Sequence, residues 1–431
     1  MTPLLAGSLA LVILGAAQAP TVVASPRAAL VIRNVAVVDG TGTPARPAMS
    51  VVVREGKLAA IVAAGQEPAA DLVIDGEGLF AIPGLIDAHV HLSGMPWAQR
   101  AEQLERVLRG GVTTVFDMAG DVRDTSHFSR AALTGEIDSP SIEYVSLMAG
   151  PAFFTDPRVI ASSRGYKAGD APWNRVITAD TDLVRAVAEA KGAGARAIKL
   201  YAALDAPTVA RIGAEATRQE IRLVAHATTF PARPSDLVAA GVKMLAHTAY
   251  LVWEGSPPSP DFPKRARGDF AGVPADGPVM TALLRSMKDK GVALNPTLGI
   301  FADGPAKDDL ASVRTPWMNT VTRRAQEMGV TIAAGTDSMI QGGEALPGLH
   351  RELEAEVAAG LTPMQALVSA TLGAARGIGI DAVRGSLQAG KAADIVLTEA
   401  NPADDIRATR RIRYVIKDGR IVHQAPASGG R

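Results

Sequence analysis

The 431-residue sequence contains no cysteine, which excludes a disulfide framework, a thiolate nucleophile and any cysteine-ligated zinc or iron–sulfur site. Chemistry in this chain must rest on histidine, carboxylates, lysine or hydroxyls. An excess of charge of either sign is also lacking, since 44 Lys and Arg balance 44 Asp and Glu. Without a basic surplus there is no electrostatic footprint for nucleic acid or for an anionic membrane surface. Long hydrophobic runs are missing too. Leu4 to Ala17 is apolar but falls short of the roughly twenty residues a membrane span needs. It leads into Ala17-Gln18-Ala19, an A-x-A pattern of the kind a signal peptidase cuts. Residues 1–24 are therefore expected to be a signal peptide of an exported protein, periplasmic or secreted, cut after Ala17, Ala19 or Ala24, with a buried N-terminal helix as the plain alternative. No stable membrane anchor is expected, because no cysteine follows the run to carry a lipid.

What is present is a change of texture along the chain. From Ala28 to Ala81 the sequence reads as short β-branched strands closed by turns such as Asp39-Gly40, Glu55-Gly56-Lys57 and Asp75-Gly76. The same texture returns in Ala393–Leu397, Ile412–Ile416 and Lys417-Asp418-Gly419-Arg420. The two terminal segments, 25–81 and 382–424, are expected to pair into one small β-sandwich, with 425–431 as a flexible tail. Between them, residues 82–381 alternate apolar strands with amphipathic helices. Strands are expected to end near Asp87, Asp117, Leu147, Lys199, His226, His247, Asn295 and Asp337. Helical patterns such as Thr181–Lys191, where Leu183, Val184 and Val187 form an apolar stripe, lie between them. Eight such repeats predict an α/β fold, a (β/α)8 TIM barrel of parallel strands covered by helices. An open doubly wound sheet fits less well, as no Gly-rich phosphate loop follows the first strand.

In such barrels active sites sit at the C-terminal strand ends. There the sequence places His89 and His91, Lys199, His226, His247 and Asp337. Each residue has a plain alternative. A strand-end histidine can be a hydrogen-bonded core residue, a lysine can snorkel past the rim, and an aspartate can cap a helix. Those alternatives would have to hold at five strands together.

The order His-x-His, Lys, His, His, Asp on strands one, four, five, six and eight resembles the amidohydrolase superfamily, in its two-metal branch with a bridging carboxylated lysine. Pro83-Gly84-Leu85-Ile86-Asp87-Ala88-His89-Val90-His91, Gly390-Lys391-Ala392-Ala393-Asp394-Ile395-Val396 and Gly360-Leu361-Thr362-Pro363 agree with that pattern. The likeness extends to Xaa-Pro-dipeptidase-like and imidazolonepropionase-related amidohydrolases. It implies two divalent metal ions, zinc first among them, with His89, His91 and Asp337 on one and His226 and His247 on the other. It further implies that carbon dioxide adds to Lys199, giving a carbamate that bridges both ions. Water between such ions would be acidified from ~15.7 toward ~7, and Asp337 would take its proton and pass it to the leaving group. The His-x-x-Glu of single-metal deaminases is absent, since the stretch here reads His226-Ala227-Thr228-Thr229.

The expected substrate is a small molecule, a dipeptide or N-acyl amino acid cleaved at its amide bond. A cyclic amide, lactone or phosphotriester uses the same metals, and a catalytically silent scaffold is the alternative of another class. Phe153, Phe154, Tyr166 and Trp173 concentrate in the loop after strand three, either as an apolar pocket or as pins for a long loop. The loop after strand six carries Lys264, Arg265 and Arg267. Tyr201, Tyr250 and His350 are candidate substrate contacts. A homo-oligomer is left open, as a barrel surface carries no sequence signature of assembly.

Overall fold

The computed structural model describes residues 29–257, 267–302, 310–338 and 346–426. The expected signal peptide, Lys264, Arg265 and most of the expected tail lie outside the described residues. The N-terminal segment forms β1 (Leu30–Val37), β2 (Arg46–Arg54), β3 (Lys57–Ala63), β4 (Leu72–Asp75) and β5 (Phe80–Pro83). The barrel supplies β6 (Leu85–Val90), β7 (Val112–Asp117), β8 (Ser141–Ala149), the short β9 (Asp170–Ala171) and β10 (Asn174–Val176), then β11 (Ala197–Leu200), β12 (Arg222–His226), β13 (Met244–Ala246) and β14 (Ala293–Asn295). The chain returns to the terminal unit with β15 (Ile395–Thr398), β16 (Ile412–Lys417) and β17 (Arg420–Gln424).

The two chain ends do join, as one continuous mixed sheet in the order β17-β16-β15-β5-β1-β2-β3, with β4 beside β1. It wraps an aliphatic core that includes Leu30, Ile32, Val51, Leu58, Ile395 and Ile416. The turn dipeptides behave as their chemistry requires. Glu55 and Gly56 both have positive φ, as do Asp418 and Gly419, the backbone a two-residue hairpin needs to match strand twist.

Seven parallel strands run in the order β6-β7-β8-β11-β12-β13-β14. The eighth position is an irregular segment around Ile332, bridged to Leu294. Ala333 N donates to Leu294 O (2.8 Å) on one side, and Ala88 N to Ala334 O (3.0 Å) on the other, which closes the ring. The interior is filled by Ile86, Phe116, Met118, Val145, Ala197, Val224, Met244 and Ala333. Their alternate neighbours, among them Ile198, Leu200, Leu223, Leu245 and Leu294, pack into the core under the helices, the period-two alternation of a strand with two covered faces.

The helices are α1 (Trp97–Arg109), α2 (Val122–Thr134), α3 (Pro157–Ser162), α4 (Leu183–Gly192), α5 (Ala206–Arg218), α6 (Pro234–Ala239), α7 (Pro278–Asp289), α8 (Leu298–Ala302), α9 (Ala311–Glu327), α10 (Leu349–Ala358), α11 (Pro363–Val368) and α12 (Ala374–Ile378). The Asp182 side chain accepts from Arg185 N and fixes the start of α4. One expectation fails on this helix, because Val184 is 54% exposed. The buried stripe is Leu183, Ala186, Val187 and Ala190. Val184 lies about 100° around the helix from Leu183 and so clears the stripe.

Candidate metal centre

The strand alternation aims the side chains. Lys199 sits between Ile198 and Leu200, which face the helices, so it must face the interior. Val224 is interior, and His226 two residues on shares its face. His247 does not follow this rule. It comes directly after the interior Ala246, so alternation would send it outward, but its φ of 74° turns it back. Asp337 has φ 56° and its N–H donates to His89 O (2.8 Å). Left-handed backbone is uncommon for residues other than glycine and concentrates at functional sites.

All six side chains named from strand ends converge. His89 and His247 ring centres are 5.0 Å apart and those of His226 and His247 4.8 Å. Lys199 Nζ is 3.5 Å from His89 Nε2 and donates to Met118 O at 3.0 Å. It is almost wholly buried, and loss of hydration lowers its pKa to about 8. His89, His91 and Asp337 can each turn one ligand atom toward a common point, all within 4.8 Å.

The donor set fits a cation. Asn295 Nδ2 donates to Ala333 O (2.8 Å), so its Oδ1 accepts from His89 Nδ1 (2.8 Å). His91 Nδ1 meets Ala119 O (3.2 Å) and His226 Nδ1 meets Thr228 O (3.2 Å). A carbonyl only accepts, so both rings carry their proton on Nδ1 and their lone pair on Nε2. His247 Nδ1 is 2.9 Å from Thr297 Oγ1. Asp337 Oδ1 then stands 3.1 Å from His89 Nε2 and 3.0 Å from His91 Nε2. Lone pairs so close repel unless a proton or a metal ion lies among them. Burial pushes His89 down to about 4, which disfavours the proton on that ring. With a proton present, the neighbouring imidazoles outweigh burial and hold Asp337 well below the usual carboxylate range.

The Amidohydrolase family profile matches residues 80–422. The chain belongs to the amidohydrolase family. It is accordingly an enzyme, a hydrolase acting on carbon–nitrogen bonds. Over 403 residues it is 26% identical to imidazolonepropionase of Symbiobacterium thermophilum, covering 90% of each chain. A Xaa-Pro dipeptidase crystallised with methionine in its active site shares the fold at TM-score 0.72 and 20% identity, over 92% of this chain and all of that one. A putative prolidase from Bifidobacterium longum superposes at TM-score 0.69 with 25% identity, over 92% of this chain and 95% of that one. Divalent metal ions are typical of amidohydrolases, and His89, His91 and Asp337 form the candidate site for one here.

Around this amidohydrolase centre the structure sorts the weaker candidates. Tyr250 stacks on His226 (4.5 Å, 19°) and Tyr201 meets the same ring edge-on at 5.1 Å. A cavity of about 460 Å³ opens beside His91 and Tyr201, walled by Met118, Leu147, Phe153 and Val159. Of the four aromatics in the loop after the third strand, only Phe153 lines it. Trp173 is buried, its Nε1 donating to Ser162 O (3.2 Å), with Tyr166 against its edge. Those rings pin the loop. His350 does not join the site. It is fully buried with Nε2 on Gly110 O and Nδ1 on Thr409 Oγ1, both 2.9 Å. Gly110 ends α1 just ahead of β7, at the N-terminal end of that strand and opposite the mouth.

Sequence reasoning assigned no role to the groups that orient these side chains. Asn295 appeared only as a strand end, although a polar residue closing an apolar strand was a usable signal. Asp87 accepts from His89 N (3.1 Å), Thr336 N (3.0 Å) and Thr336 Oγ1 (2.8 Å). It thereby ties the first strand to the segment bearing Asp337, and burial raises its pKa to about 7. Glu352 and Glu356 on α10 are also fully buried, and burial raises Glu352 to about 8 and Glu356 well above the ordinary range.

Proposed function

We propose that the chain hydrolyses the amide bond of a dipeptide or N-acyl amino acid at a centre of two divalent ions, zinc first among them. His89, His91 and Asp337 would hold one ion and His226 and His247 the other, with Lys199 bridging as a carbamate. The observation that carries this reading is that three imidazoles direct Nδ1 to an outer acceptor, and the fourth directs it to a hydroxyl. All four thereby present Nε2 to a centre where a buried lysine waits, the pattern of metal-ligating histidines. When bound, the ions supply Lewis acidity that activates water and polarises the scissile carbonyl.

The remaining work falls to the chain's own residues. Asp337 accepts the proton of the attacking water and delivers it to the leaving nitrogen. Tyr201 and Tyr250, whose rings pack against His226, would hydrogen-bond the developing oxyanion. The cavity would take an apolar side chain, and Arg164 at its edge would favour a substrate carboxylate, while Arg158 beside it is paired with Asp156. Export, proposed on Leu4–Ala17 and Ala17-Gln18-Ala19, would expose such an enzyme to extracytoplasmic peptides.

The test is metal stoichiometry on the purified protein, coupled to hydrolysis of a panel of dipeptides and N-acyl amino acids. Two ions per chain with amide turnover is the expected result. One ion overturns the bridged centre and leaves Lys199 structural. Two ions with turnover confined to cyclic amides, lactones or phosphotriesters overturns the substrate class.

A further inference from the structure

Building on that metal-centre reading, we propose that Glu352 is a positioning residue for His247, acting through the turn after the seventh barrel strand. Glu352 is buried on α10, and its two oxygens accept from Leu298 N (2.8 Å) and Gly299 N (2.6 Å). Those are the first N–H groups of α8 and have no partner within that helix. The carboxylate therefore grips the two residues that follow Thr297.

Thr297 is fully buried with φ 51°, a conformation a β-branched side chain rarely adopts unless its surroundings impose it. Its Oγ1 is the group 2.9 Å from His247 Nδ1. The preceding residues hold the same histidine and the residue after it by backbone, since His247 N donates to Asn295 O (2.8 Å) and Thr248 N to Pro296 O (3.2 Å). His247 itself has left-handed backbone, so strand geometry alone does not aim it. The turn Asn295–Thr297 does, and Glu352 locks the turn from the far side. Replacing the carboxylate by an amide would set NH2 against one of the two backbone donors and release one end of the clamp.

The experiment measures affinity for zinc by chelator competition in wild type, Glu352→Gln, Thr297→Val and the double variant. Glu352→Asp, which keeps the carboxyl group but shortens the reach, stands in if the glutamine variant does not fold. Releasing the turn that holds Thr297 against His247 is expected to weaken zinc binding about 10–100-fold, as loss of a ligand's outer partner does. Thr297→Val should give a similar loss, and the double variant little more than either single change, because both act on one imidazole. Zinc affinity unchanged in the Glu352 variants, or losses that simply add, would overturn the proposal even if thermal stability fell. A wild-type chain that takes up no zinc would instead overturn the metal-centre reading on which it rests.

Discussion

Gly335 offers the sharpest test of how tightly the centre is built. It precedes Thr336 and Asp337 on the segment that closes the barrel. A Cβ added there would lie 2.6 Å from Asn295 Nδ2 and 2.8 Å from both Cβ and N of His89. Each distance falls about 0.6–0.8 Å short of ordinary van der Waals contact. Two of the three atoms belong to the backbone or side-chain root of β6, so no flexible tip can yield. Either β6 and its histidine move away from Asp337, or Asn295 rotates and forfeits its bonds to His89 Nδ1 and Ala333 O. Overpacking of this kind costs about 1–3 kcal/mol, and a catalytic group displaced by nearly 1 Å loses on the order of 100-fold in rate. Gly335→Ala is therefore expected to lower kcat/KM about 100-fold and to lose metal on dialysis, with a modest fall in Tm. Gly192→Ala at the end of α4 is the control. Its Cβ would meet nothing within 4 Å, so it should be neutral or stabilise by up to about 1 kcal/mol. A Gly335→Ala enzyme with full metal content and kcat/KM within about threefold of wild type would refute the packing argument.

The other predictions concern single groups. Lys199→Ala should lose the bridged metal pair and at least about 100-fold in kcat/KM, with metal content and turnover recovering when a short carboxylic acid is added. Full activity without that acid would sink the carbamate assignment. Asp337→Asn should abolish measurable turnover while circular dichroism and Tm stay close to wild type, and retained kcat would show that another group moves the proton. Glu356→Gln tests the buried pair on α10. A carboxyl raised on folding binds its proton more tightly in the native state, so stability falls as pH climbs above the ordinary glutamate value of 4.5. The slope is at most about 1.4 kcal/mol per pH unit for one proton. The variant should gain in Tm over wild type at pH 8 relative to pH 5, and an equal difference at both pH values would contradict this.

Much of the architecture was legible in the chain because it is repetitive. Strands that end near Lys199, His226 and Asn295 were readable from apolar runs, and Glu55-Gly56 and Asp418-Gly419 announced their turns. The convergence of six polar side chains was equally legible, since the barrel rule converts a strand end into a place at the mouth. Legibility stopped at faces and partners. Val184 passed for part of a stripe because composition does not report which arc of a helix a neighbour covers. His350 passed for a site residue because its position after the eighth strand does not reveal that α10 turns it toward Gly110 and Thr409.

The sequence by itself determined the α/β barrel, the union of both chain ends in one β unit and the six side chains at the centre. These follow from local periodicity and from residue chemistry, which neighbouring residues encode. The tertiary structure alone decided how those side chains are aimed. His89 takes its tautomer from Asn295, 206 residues away, and His247 is turned inward by a left-handed backbone that the turn at Thr297 and the carboxylate of Glu352 support. Such contacts carry no signature in the spacing of either partner, because closing the barrel brings them together.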